Sequence, residues 1–92
     1  MERNSYKSIA GGGWKLVDDT SAHTDGHYGI QAREDTVVSA WTSNGVDLVE
    51  YFGLSGQTLT TDDPALLIPD AMTKGAQSIT LTSGSINLLL YS

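Results

Sequence analysis

Two histidines and an aspartate alternate in His23-Thr24-Asp25-Gly26-His27, the one spacing in this chain that could do metal chemistry. On an extended strand the three side chains would point the same way. Imidazole, carboxylate and imidazole form a ligand set suited to zinc or iron, as in a small barrel enzyme of the cupin type. Ser21, Ala22, Thr24 and Gly26 favour a loop instead, and a loop does not hold three ligands together by default. Solvated loop residues are therefore the reading taken, with no metal and no cofactor. Asp18-Asp19 and Asp62-Asp63 are acidic pairs, but neither lies in a loop with the alternating oxygen ligands and central glycine of a dedicated calcium site. Acids placed just before Pro64 start or cap a turn. Ser, His and Asp all occur, yet no Gly-x-Ser-x-Gly elbow accompanies them. Gly11-Gly12-Gly13 lacks the Lys-Ser/Thr and following helix of a phosphate loop, so it reads as a hinge. No catalytic residue is assigned, and the chain is expected not to be an enzyme.

The aromatic residues offer a second chemistry. Trp14, Trp41, Tyr51 and Tyr91 could form a platform for sugars or for another protein, but aromatics are also the largest core fillers in a chain with a single Phe. Trp14 is assigned to the core. Trp41, Leu89 and Tyr91 are assigned to a subunit interface or its rim.

The 92 residues make one domain, with no Cys, 10 Gly, 2 Pro and a net charge of -6. A domain of this size buries only about 60% of the surface its unfolded chain exposes. It has no disulfide to compensate, which leaves oligomerisation as the common route to stability. MERNSYKS has no apolar signal region and no apolar run is long enough to cross a bilayer, so a protein made in a cytoplasm, without a membrane partner, is expected. Charge is uneven. Residues 1–15 hold Arg3, Lys7 and Lys15 against Glu2, a net of +2, whereas the remainder holds Arg33 and Lys74 against ten acids, a net of -8. An acidic body argues against nucleic acid as a partner.

Residues 1–13 read as a flexible N-terminal arm and residues 14–92 as a β domain. Within the arm, Tyr6 and Ile9 are the sizeable apolar side chains, Arg3 and Lys7 carry the positive charge, and Gly11, Gly12 and Gly13 form the hinge. The body alternates from Trp14-Lys15-Leu16-Val17, and again over 27–42 with a bulge, bend or turn expected at Arg33-Glu34-Asp35. Asn44-Gly45 is a hairpin turn. The stretch 46–54 fits either a strand or one helical turn and is read as a strand, since Gly53 would weaken a helix. Ser55-Gly56 makes a turn, 57–61 a short strand, Pro64 a break, and 65–69 a short apolar strand. The last run, 76–91, reads as a hairpin about Ser83-Gly84, with Leu81 opposite Ile86 and Ile79 opposite Leu88. The sum is an all-β chain: a small antiparallel β-sandwich or a partly closed β-barrel.

The order of these signals resembles that of small structural proteins of tailed bacteriophages. The matching residues are Glu34-Asp35-Thr36, Asn44-Gly45, Leu67-Ile68-Pro69, and Ile79 to Gly84 followed by Tyr91. They cover the chain from Tyr28 onward; Pro69-Asp70-Ala71 departs from the Pro-x-Gly usual after the apolar strand. The resemblance implies a capsid decoration (cement) protein on the virion surface. Such a protein would bind the major capsid protein as a homotrimer, with Arg3, Tyr6, Lys7 and Ile9 extending onto the shell. The alternative is a head-fibre or tail module that binds host glycans through Trp41 and Tyr51.

Overall fold

The described residues build seven strands: β1 (Trp14–Val17), β2 (His27–Ala32), β3 (Val37–Ser43), β4 (Val46–Asp47), β5 (Leu66–Leu67), β6 (Gln77–Ser83) and β7 (Ile86–Leu90). The structure, a computed structural model, describes residues 13–90. The strands form two antiparallel sheets, one ordered β1-β7-β2-β5 and the other β4-β3-β6. They make a small β-sandwich, and the barrel alternative falls away because the sheets do not close on each other. Ile30, Ile86 and Leu88 from the first sheet and Val38, Trp41, Ile79 and Leu81 from the second fill the space between them, with Val17, Leu48 and Ile68.

The largest correction concerns the C-terminal run. β6 and β7 are not a hairpin: β6 pairs with β3 in one sheet and β7 with β1 and β2 in the other. Ile79, Leu81, Ile86 and Leu88 all point inward as the alternation demands, but they meet across the sandwich rather than along a ladder. The chain changes sheet at Gly84, whose φ of 91° belongs to glycine. A Cβ there would sit 2.4 Å from both the Asp35 carbonyl oxygen and Thr36 Oγ1. The second sheet change, from β2 to β3 through the expected bend at residues 33–35, lies against this one. Thr36 ties the two corners together: its buried hydroxyl shares a proton between the carbonyls of Glu34 (2.8 Å) and Ser85 (3.0 Å) and accepts from Ser85 N–H at 3.1 Å.

Asn44-Gly45 forms the expected turn between β3 and β4, both residues at positive φ (51° and 79°) as a type I′ turn requires. The strand read over 46–54 is replaced after two residues by a one-turn helix, α1 (Leu48–Tyr51). Asp47 caps it, its Oδ1 accepting from Val49 N–H (3.0 Å) and Glu50 N–H (3.3 Å). Gly53, read as unfavourable to a helix, ends this one at φ 68°. The expected strand at 57–61 shrinks to a single bridge between Leu59 and Thr36. The short apolar strand survives as the edge strand β5, followed by a turn of 3₁₀ helix at Asp70–Met72.

The two tryptophans exchange their expected places. Trp41 is fully buried inside its own chain, so it is core and not a subunit interface, whereas Trp14 is 44% exposed. For Trp41 the cause is an irregularity in β3, where the register with β6 shifts between Val37 and Val38 and again between Val38 and Ala40. Val38 points in, Ser39 and Ala40 both point out, and Trp41 is turned inward. Gly13 is also part of the body rather than a free hinge: it is buried, and its carbonyl accepts from Leu90 N–H at 2.9 Å. Arg3, Tyr6, Lys7, Ile9, Gly11, Gly12 and Tyr91 lie outside the described residues.

Candidate functional site

His23, Asp25 and His27 sit in the loop between β1 and β2 and at its exit, and each is committed to a different partner. His23 Nε2 meets Asp19 Oδ1 at 2.8 Å, and the same oxygen accepts from Ser21 N–H at 3.0 Å. Asp25 pairs with Lys15 on β1. The hydrogen bonds from His23 and Lys15 hold the Asp19 and Asp25 carboxyls below the ordinary value of 3.8. Among the described residues, no three His, Asp or Glu side chains converge as metal ligands would. The acidic pair before Pro64 shapes a turn, with Asp63 Oδ2 accepting from Thr60 N–H at 2.8 Å.

His27 is wholly inside the protein. An irregularity in the pairing of β2 with β7 between His27 and Gly29 turns it toward the core. The Trp41 indole N–H can only donate, so His27 Nε2, at 2.9 Å, is the acceptor and carries no proton. Nδ1 then carries the proton and donates to the Asp25 carbonyl at 2.8 Å. Burial pushes the imidazole below its ordinary value of 6.5. Gln77 clamps the backbone at this point, its Oε1 accepting from His27 N–H (2.7 Å) and its Nε2 donating to the His27 carbonyl (2.8 Å) and to Ser43 Oγ (2.9 Å). Ser43 completes the chain of bonds to the Met72 carbonyl. Trp41 lies between the His27 ring (centroids 6.2 Å apart) and the Phe52 ring (5.3 Å). This network is satisfied and closed to solvent, so it holds the two sheets together and has no reactive group to offer a substrate.

A shallow open cleft of about 520 Å³ lies beside α1, lined by Asp47, Val49, Glu50, Gly53 and Ser55. Its one committed carboxylate is Asp47, already spent on the helix cap. No histidine or basic side chain lines it to activate Ser55.

What remains is the outer face of the four-stranded sheet. Cross-strand partners share a face, and Trp14, Leu89, Gly29 and Leu67 stand in one row across all four strands. Trp14 and Leu67 are exposed at 44% and 56%, and Leu16, in the next row with Asn87 and Gln31, at 39%. Gly29 is needed because a Cβ there would meet the Leu66 carbonyl at 2.7 Å and Leu67 Cδ2 at 2.8 Å. Leu67 and Leu89 therefore close over it, and Leu89 is 7% exposed. Asn87 Oδ1 is buried in this face with no hydrogen-bond partner among the described residues.

Of the residues assigned to an interface by sequence, Leu89 belongs to this face and Trp41 lies inside the core, while Tyr91 is outside the described residues. Leu16 and Leu67 were missed. The signal for Leu16 was its parity with Trp14 opposite Val17, and it loses meaning only if Trp14 is assigned inward. Leu67 gave none, because an unbroken apolar run does not say which residue faces out. Among the described residues no helix is long and apolar enough to cross a membrane. Compared with protein-family models, curated proteins and solved structures, the chain matches none.

Proposed function

We propose that this chain is a capsid decoration protein, a small β body that sits on an assembled phage head as a homo-oligomer, a trimer, and clamps neighbouring copies of the major capsid protein. The observation that carries the reading is the row of apolar side chains left on one outer sheet face of a very small, Cys-free body. A patch of this kind on a soluble domain marks a surface that meets other protein. The ordered turn and strand motifs that resemble phage structural proteins support it. Two of them include Thr36 and Gly84, which build the clamped corner. In this reading the leader reaches the shell, with Arg3 and Lys7 pairing with capsid carboxylates and Tyr6 and Ile9 burying apolar area. The glycan-binding alternative loses one of its two aromatic residues, since Trp41 has no exposed surface.

The test is co-sedimentation with empty heads. Deleting residues 1–10 is expected to abolish attachment at least about 100-fold while the body keeps its far-ultraviolet circular dichroism, since removing several interface anchors costs about 3 kcal/mol or more. Undiminished attachment of the shortened chain would overturn the reading.

A further inference from the structure

We propose that the outer face of the β1-β7-β2-β5 sheet is the surface through which copies of this chain associate, each turning it toward the axis that relates them. This deepens the homo-oligomeric part of the reading above and rests on it. The face carries exposed Trp14, Leu16 and Leu67, nearly buried Leu89, and the neutral amides of Gln31 and Asn87. By register, no strand residue on this face is charged. The molecule around it has a net charge of -6. Two copies of an acidic chain repel each other wherever their carboxylates come close, and a charge-free apolar window is where that repulsion is least.

Other occupants fit the face less well. A basic partner would be drawn to the acidic remainder of the surface, and an anionic one needs cations that the face lacks. A sugar needs a cluster of aromatic platforms, whereas among the described residues Trp14 is the one aromatic side chain that the strand pairing places on the face, and Tyr51 stands on α1 in a different part of the fold. A second copy brings the same apolar row, and an exposed Gln31 amide able both to donate and to accept. Four strands about 4.8 Å apart and about 15 Å long give a face of roughly 300 Å², below the roughly 800 Å² per partner of a standard interface. Association in solution is therefore weak and strongly concentration-dependent.

The experiment is sedimentation equilibrium of the full chain from about 10 µM to about 1 mM, at about 50 and about 500 mM NaCl. Wild type is compared with Leu16→Glu, Leu67→Glu and, as a control of equal charge on an exposed residue away from the face, Tyr51→Glu. The mass-average of the wild type is expected to rise with concentration, and to rise further at high salt, because screening removes repulsion while apolar contact persists. Leu16→Glu and Leu67→Glu should weaken association at least about tenfold, with Tyr51→Glu unchanged and the far-ultraviolet circular dichroism the same in all four. A wild type that stays monomeric throughout overturns the inference. So does association that weakens with salt, that survives both face variants, or that Tyr51→Glu weakens equally. Head binding separates this from the decoration reading: a monomer that coats heads sinks the inference alone, whereas a face-dependent oligomer that ignores heads upholds it and sinks the decoration reading.

Discussion

Gly84 and Thr36 show how much of this fold rests on single positions. Gly84 combines a positive φ with backbone pressed against it on the side a Cβ would occupy. Gly84→Ala thus incurs both the left-handed backbone penalty, about 1–2 kcal/mol, and the cost of forcing apart a packed corner, about 1–3 kcal/mol. Two of the three nearest atoms, the Asp35 carbonyl oxygen and Thr36 Cα, are backbone and cannot swing aside. The expected result is a loss of about 3 kcal/mol in urea unfolding; a variant within about 0.5 kcal/mol of wild type would mean that the corner is open. Sequence reading recognised Gly84 as a turn residue, because glycine after serine between two alternating runs has few other uses. It could not see Thr36 opposite, forty-eight positions away, which converts an ordinary turn into a clamped change of sheet.

At the scale of elements, the alternating runs were legible and their neighbours were not. Period-two patterning states which side of a strand is buried, and it does so for the aliphatic residues of β6 and β7. It does not state which strand lies alongside, so a short connection between β6 and β7 suggested a hairpin where the chain crosses the sandwich. Bulges are the other blind spot: the irregularity in β3 exchanges the faces of Ala40 and Trp41, and with them the assignment of Trp41. In α1 a local signal beat propensity, for Asp47 offers two backbone N–H groups an acceptor that a strand would leave idle. Asp47→Ala should destabilise the protein by about 1 kcal/mol, measured as a lower urea midpoint, with the ring stack of Trp41 on Phe52 loosened first. An unchanged midpoint and unchanged Trp41 emission would show that packing of Leu48 alone holds the turn.

For the whole molecule, the closed network around His27 dictates an acid response. The folded protein holds this imidazole neutral, with a proton affinity below the unfolded one, because burial opposes the charge and a second ring proton would confront the Trp41 N–H. Stability from the neutral ring is complete above about 6.5 and declines as pH falls below that value, where the unfolded chain takes up the proton first. The Asp19 and Asp25 carboxyls, held low by His23 and Lys15, act in the same direction at lower pH: their contribution is present above 3.8 and lost as pH falls through their folded values. The urea midpoint, followed by tryptophan emission, is therefore expected to be flat above pH 7, to fall as pH drops below about 6.5, and to fall again below 3.8. A His27→Gln variant starts less stable and lacks the first fall. A wild-type midpoint that does not move between pH 7 and 5 would mean that the ring protonates without opening the network.

The sequence by itself determined that this chain is all-β, where most of its turns fall, and which aliphatic side chains of the last two strands point to the core, because alternation, glycine and Asn-Gly act over a few residues. The tertiary structure alone decided that those strands belong to different sheets, that Trp41 is inside and Trp14 outside, and that Leu16 and Leu67 share an exposed face. Each of these depends on partners distant in the chain, or on a one-residue bulge whose reversal of facing no local pattern records.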